Sequence, residues 1–149
     1  MEAVIFVGIQ GAGKSSFYKE RFFNTHVRIN LDMLKTRHRE GVLLRACIEM
    51  QQRFVVDNTN PAVAERAKYI AAARAAGFRV VGYYFQSVVA DCIRRNAGRA
   101  PGQRVPPAAI GGTAKRLQLP SLAEGFDQLH YVRIDDAGRF LVEEWVDEV

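Results

Sequence analysis

Apolar positions along the chain fall in short unbroken runs, separated by longer stretches with helical spacing. The first run, Val4 to Val7, ends at Gly8 and reads as a buried strand, and beyond a glycine-rich turn helical spacing continues through Phe23. His26 to Ile29 predicts a second strand. Glu40 to Gln52 predicts a helix with Val42, Leu43, Ala46 and Met50 on one broad face, and Arg53 to Val56 a third strand. That strand closes on Asp57-Asn58-Thr59-Asn60-Pro61, where Thr59 or Asn60 is expected to cap a helix reaching Ala76, with Pro61 near its first turn and Gly77 just past its end. Phe78 to Phe85 is the most apolar strand. Ser87 to Asn96 then reads as helix, Ala97 to Val105 as loop and Pro106 to Leu117 as a glycine-interrupted helix. Gln128 to Ile134 and Arg139 to Trp145 read as a strand pair turning at Asp136-Ala137-Gly138. Strands that alternate with helices and end in a strand pair predict an α/β three-layer sandwich, its mainly parallel sheet flanked by helices.

Length and composition narrow this further. With 149 residues, 48% hydrophobic and 25% charged, the chain has the balance of one soluble domain spanning 1–149, which excludes disordered, collagen and coiled-coil classes. No apolar run approaches the roughly 20 residues that span a bilayer, and no basic flank precedes Ala3 to Val7, so a cytoplasmic protein is expected. Cys47 and Cys92 lack metal or redox spacing and are expected as buried thiols; His26, His38 and His130 form no ligand set.

The net charge of +5 conceals an uneven distribution. Six basic residues (Arg94, Arg95, Arg99, Arg104, Lys115, Arg116) and no acid lie between Ile93 and Arg116. Six acids (Asp135, Asp136, Glu143, Glu144, Asp147, Glu148) stand against Arg139 after position 134. Because the basic run also holds Gly98, Pro101, Gly102, Pro106 and Pro107, it reads as a mobile basic loop that seeks an anion rather than as a solvated helix face.

Gly8-Ile9-Gln10-Gly11-Ala12-Gly13-Lys14-Ser15 matches G-x-x-x-x-G-K-[ST] between a strand and a helix, where this composition yields roughly 0.002 matches by chance. Gly8, Gly11 and Gly13 free the backbone N–H groups to converge on phosphate oxygens at a helix N-terminus. Lys14 supplies a compact charge for the β and γ phosphates and Ser15 a hydroxyl for Mg²⁺, so ATP and Mg²⁺ are the expected cofactors. Asp32 follows the second strand, where it either accepts the proton of an attacking hydroxyl or caps the next helix; Lys35 and Arg37 could hold an anionic acceptor beside it. Asp57, ending the third strand, is either a second Mg²⁺-organising carboxylate or an Asx turn. Arg99, between Gly98 and Pro101, is expected to close over the transferring phosphoryl group.

Taken together, Gly8 to Ser15, Ile29-Asn30-Leu31-Asp32, Val55 to Pro61, Ala72 to Gly77, Arg95-Asn96 and Pro120 to Phe126 resemble the kinase domain of polynucleotide 5′-hydroxyl kinases and their small ATP-binding relatives, over nearly the whole chain. The resemblance implies a nucleoside-monophosphate-kinase-like P-loop core with a lid near 97–105, and transfer of phosphate from ATP to the 5′-hydroxyl of DNA or RNA. It implies that Gly8, Gly11, Ala12, Gly13, Lys14, Ser15, Ser16 and Arg95 hold the nucleotide. Ser15 and Asp57 would serve the metal, Asp32, Lys14 and Arg99 the chemistry, and Lys35 and Arg37 the acceptor. The family's Asn-Arg-Asp triplet is Asn30-Leu31-Asp32 here, which leaves Arg28 or Arg37 to replace the missing guanidinium. Two other readings stand beside this one: a kinase of a small nucleoside, sugar or antibiotic, with Leu31 lining an apolar acceptor pocket, and a non-catalytic ATP-binding switch.

Overall fold

The computed structural model describes residues 1–146; the acids Asp147 and Glu148 of the C-terminal run lie outside the described residues. Six strands form one sheet: β1 (Glu2–Val7), β2 (Val27–Ile29), β3 (Phe54–Val56), β4 (Arg79–Phe85), β5 (Gln128–Ile134) and β6 (Phe140–Glu144). Their order is β2-β3-β1-β4-β5-β6, parallel except for β6, which runs antiparallel to β5. The helices are α1 (Lys14–Arg21), α2 (Leu31–Leu34), α3 (Arg37–Glu49), α4 (Val63–Ala75), α5 (Val89–Ala97) and α6 (Pro107–Arg116).

The unbroken apolar run of β1 follows from its position at the centre of the sheet, with both faces covered. Ala3 and Ile5 enter a core with Cys47 of α3 and Tyr69, Ile70 and Ala73 of α4. Val4 and Phe6 face the other way, toward Phe17 and Tyr18 of α1, Cys92 of α5 and Ile110 of α6. This makes the expected three layers. The connection from β1 runs outward to the edge strand β2, whereas the one from β3 crosses over β1 to β4, so the sheet's switch point lies between β1 and β3, and ligands of open α/β sheets bind outside the carboxyl ends there.

Two expectations need correction. The helix after Pro61 starts at Val63, with Ala62 rather than Thr59 or Asn60 in the capping position. Asn60 is otherwise engaged: its φ is 45°, and its side-chain amide donates to Phe6 O at 2.8 Å. The four-residue α2 was not predicted at all, because so short a helix has no periodicity to detect. Gly77, by contrast, sits where expected, at φ 80° just past α4. The hairpin turn also closes as predicted, with Gly138 at φ 78° and its N–H donating to Asp135 O at 3.0 Å.

Arg66 of α4 is wholly buried. Its guanidinium pairs with Glu124 through Nε (2.8 Å) and Nη2 (3.2 Å), and its Nη1 donates to Asn60 O (2.9 Å) and Gln118 O (3.0 Å). Removing one partner of a buried charge pair leaves the other uncompensated. Arg66→Met should therefore lower the unfolding free energy by about 3–5 kcal/mol. Urea titration should show this as a shifted midpoint at unchanged slope, and the double variant Arg66→Met/Glu124→Leu should recover part of the loss.

Candidate active site

A cleft of about 520 Å³ opens at the switch point, lined by the phosphate loop, Asp32, Asp57, Arg95 and Arg99. The loop is held from both sides: Gly8 N–H donates to Thr59 O at 3.0 Å and Ile9 N–H to Ser87 Oγ at 3.1 Å. Gly11, at φ 82°, lies so close to α5 that a Cβ would fall 2.4 Å from Cys92 O, and Gly13, at φ 98°, is the N-cap of α1. Only glycine suits both demands at position 11. Among the described residues the backbone N–H groups of Gly11, Gly13, Lys14, Ser15 and Ser16 have no acceptor, which makes the loop a concave set of donors at a helix N-terminus. Ala12 differs, since its N–H donates to Ile9 O at 3.2 Å and its side chain is packed in the core.

Lys14 is buried, and its ammonium donates to Ile9 O at 2.8 Å across the loop. Burial, helped by the charge of Arg99, lowers its pKa to about 8 despite the favourable charge of Asp57 nearby. Ser15 Oγ donates to Asp57 Oδ2 at 2.9 Å. Asp57 is 1% exposed; its carboxylate spans to α1 and β2 rather than folding back on its own backbone, so the Asx-turn alternative does not hold. The same oxygen accepts from Arg28 Nε at 2.8 Å, while Arg28 Nη2 donates to Ser15 Oγ at 3.0 Å. Two hard oxygen ligands beside the phosphate loop fit Mg²⁺, which takes few protein ligands and completes its shell with phosphate and water. No cluster of three or more His, Cys, Asp or Glu side chains suited to a metal occurs among the described residues.

On the opposite wall, the cap of α2 is Asn30, whose Oδ1 accepts from Met33 N–H at 2.9 Å. Asp32 is therefore not a helix cap. Asn30 Nδ2 also donates to Asp57 O at 2.6 Å, and Leu31 N–H donates to Asn58 Oδ1 at 2.9 Å, so α2 is tied to the end of β3 and carries Asp32 into the cleft lining. Asp32 makes no hydrogen bond or ion pair among the described residues. Arg37 also lines the cleft, with Nη1 bound to Glu40 Oε1 at 3.0 Å and to Tyr69 Oη at 3.2 Å. Lys35, at φ 75°, is exposed and outside the lining. Glu40, almost wholly buried, also accepts from Tyr69 Oη at 2.8 Å and Asn58 Nδ2 at 3.1 Å. Burial raises its pKa, but these donors outweigh it and hold the carboxyl below the usual range. No expectation included Glu40, whose one signal was an acid at a position that faces the core.

The predicted basic loop does not present all its charge to the cleft. Arg94 pairs with Asp91 at 3.1 Å and Arg116 with Glu65 at 3.0 Å on the surface, while Arg95 and Arg99 line the cleft and Arg95 Nη1 donates to Gly11 O at 3.2 Å. The segment is clamped at its base by Asn96, which donates to Val105 O at 2.7 Å and accepts from Val105 N–H at 3.0 Å. Ile134, Gly138 and Phe140 of the hairpin complete the wall near Gly13.

The Lys14 environment sets a pH dependence. A bound polyphosphate raises the ammonium's pKa from about 8, so binding takes up protons above that pH and affinity falls as pH rises past it. Calorimetry of ATP binding in buffers of different ionisation enthalpy should show fractional proton uptake near pH 8 to 8.5, where the phosphates are already ionised. The uptake should vanish in Lys14→Met.

Residues 35–120 match the family model described as AAA domain, a span of more than half the chain that includes Asp57 to Pro61 and the Arg95 to Val105 segment. The chain is 28% identical over 138 residues to the Schizosaccharomyces pombe protein named bifunctional polynucleotide phosphatase/kinase, covering 88% of this chain and 33% of that protein. It thus spans about a third of that relative's length. The fold resembles a gluconokinase from Sinorhizobium meliloti 1021 (TM-score 0.64, 18% identity, 89% of this chain and 82% of that one). It also resembles Chaetomium thermophilum Kti12 in complex with ADP-AlF3 (TM-score 0.66, 13% identity, 91% and 92%). At these identities the likeness is one of fold alone, a mainly parallel sheet flanked by helices. By the extent of the family match, this chain belongs to the AAA domain family.

Proposed function

We propose that the protein transfers the γ-phosphoryl group of ATP to a hydroxyl, and that the acceptor is the 5′-hydroxyl of DNA or RNA. The observation that carries this reading is a single cleft whose lining brings together a phosphate-binding loop and the carboxylate of Asp32, which has no hydrogen-bond or ion-pair partner among the described residues. Nucleic acid as acceptor is supported by the likeness to the polynucleotide phosphatase/kinase and by the exposed run Lys35-Thr36-Arg37-His38-Arg39, which directly follows α2.

In this mechanism Asp32 accepts the proton of the acceptor hydroxyl as its oxygen bonds to the γ phosphorus, and the bond to the β-γ bridging oxygen breaks to release ADP. The N–H cradle and Lys14 hold the β and γ phosphates, and Arg99 stabilises charge on the transferring group while excluding water. Mg²⁺, held by Ser15 Oγ with Asp57 behind it, supplies further neutralisation of the phosphates when bound. Arg95, which lines the cleft and donates to Gly11 O of the loop, covers the nucleotide in this reading. Leu31, an apolar side chain next to Asp32 in the cleft lining, favours a second reading in which the acceptor is a small hydroxylated molecule.

Incubation with labelled ATP, Mg²⁺ and 5′-hydroxyl oligonucleotides should label the 5′ ends. Asp32→Asn should cut transfer by about 10²- to 10⁴-fold, with ATP affinity nearly unchanged. Turnover should fall steeply as salt rises, as polyanion binding requires. Transfer to a small acceptor with a flat salt response would replace the polynucleotide reading, and full activity in Asp32→Asn would remove the general base.

A further inference from the structure

Arg28 closes a triangle that the transfer mechanism does not use. It lies on β2, in register with Val55 of β3, and its guanidinium bridges the two groups read as metal ligands: Nε to Asp57 Oδ2 at 2.8 Å and Nη2 to Ser15 Oγ at 3.0 Å. Its side chain is 28% exposed and its stem passes the Tyr18 ring, with Cζ 5.9 Å from the centroid. The Asp57 side chain is only 1% exposed, so its charge requires a compensating cation in the protein without nucleotide. The Ser15 hydroxyl has one proton and two lone pairs; the proton goes to Asp57 and one lone pair to Arg28. A divalent cation arriving between Ser15 and Asp57 meets a competing positive charge and a ligand oxygen already partly engaged.

From this geometry we infer that Arg28 is an internal cation standing in for the metal between Ser15 and Asp57. It makes the site unreceptive to free divalent ions and yields only when the metal arrives with the nucleotide phosphates. Arg28 is thus a positioning residue that couples metal entry to nucleotide entry. The long, partly exposed side chain has room to withdraw toward solvent, whereas Ser15 and Asp57 are fixed by α1 and β3. The inference rests on the reading of Ser15 and Asp57 as the metal-bearing pair, and the test separates the two.

Mn²⁺ serves as the probe, with its free concentration followed by electron paramagnetic resonance. Wild-type protein should bind it weakly alone and tightly with ADP. Arg28→Gln should bind free Mn²⁺ roughly tenfold or more tightly than wild type in the absence of nucleotide, because a unit charge has left the site. Arg28→Lys should stay as weak as wild type. Failure of wild type to bind Mn²⁺ even with ADP would overturn the metal reading and this inference together. Tight binding with ADP but no gain in Arg28→Gln would overturn this inference alone. If Arg28→Gln does not fold, the wild-type protein decides: the Arg28 Nε–H resonance should shift on addition of Mg²⁺ with ADP and not with ADP alone, and an unmoved resonance overturns the inference.

Discussion

A guanidinium with no access to solvent organises the carboxyl end of this sheet. A buried guanidinium must be surrounded with acceptors, and those of Arg66 come from two separate segments: Gln118 and Glu124 between α6 and β5, and Asn60 between β3 and α4. The consequence passes directly to the site. With its carbonyl fixed by Arg66, Asn60 is held at positive φ, a conformation that asparagine tolerates better than most residues, and its amide reaches Phe6 O at the end of β1. One residue earlier, Thr59 O receives Gly8 N–H and so anchors the entrance of the phosphate loop. The two motifs that most resemble polynucleotide kinases, Asp57 to Pro61 and Pro120 to Phe126, are therefore joined through Arg66 in one buried polar assembly, one side of which also lines the cleft.

The cleft itself is an electrostatic arrangement completed by an anion. Lys14, Arg95 and Arg99 line the cleft beside N–H groups that have no acceptor among the described residues, and burial of the Lys14 ammonium lowers its pKa even with Asp57 nearby. Donors fixed before the ligand arrives need no reorganisation during transfer, which is how preorganised charge lowers a barrier. The network around Arg37 fixes the Asp32 side of the cleft in a similar way. Glu40, Tyr69 and Asn58 are satisfied by one another, and Asn58 passes that rigidity to the first N–H of α2 and so to Asp32.

Much of the fold was legible because its signals are local. Strands buried on both faces read as apolar runs, Gly77 marks a helix end, and the phosphate loop has a spacing that few other structures require. What could not be read depends on register and on distant partners. Thr59 and Asn60 resemble helix caps in composition, but the hydrogen bonds that recruit them elsewhere come from residues more than fifty positions away, Phe6 and Gly8. Asp32 is a plausible cap in sequence, yet the cap of α2 is Asn30, whose side chain also reaches Asp57 O. The basic run from 93 to 116 reads as one anion-seeking segment; in three dimensions Arg94 of α5 and Arg116 of α6 pair with surface acids, while Arg95, the next residue of α5, and Arg99 in the segment beyond that helix line the cleft. Arg28 was noted only as a replacement for a missing arginine, and the parallel pairing of β2 with β3 is what sets it against Asp57.

Both walls of the cleft are fastened to the same five-residue loop, which limits how the site can move. The donor wall hangs on Thr59 and Asn60 through Gly8 and Phe6, and the acceptor wall on Asp57 and Asn58 through Asn30 and Leu31. A relative displacement of the phosphate loop and Asp32 would have to break hydrogen bonds that are mostly buried, several of them at once. The segment after α5 is built differently: its span is held at the base by the paired bonds of Asn96 to Val105, and Arg99, which lines the cleft, is engaged only through its backbone, its N–H donating to Asn96 O and its carbonyl accepting from Arg104 Nε. The spacing between the phosphate loop and Asp32 is thus set by buried hydrogen bonds to one loop, whereas the arginine-bearing segment is tied to the rest of the cleft by fewer of them.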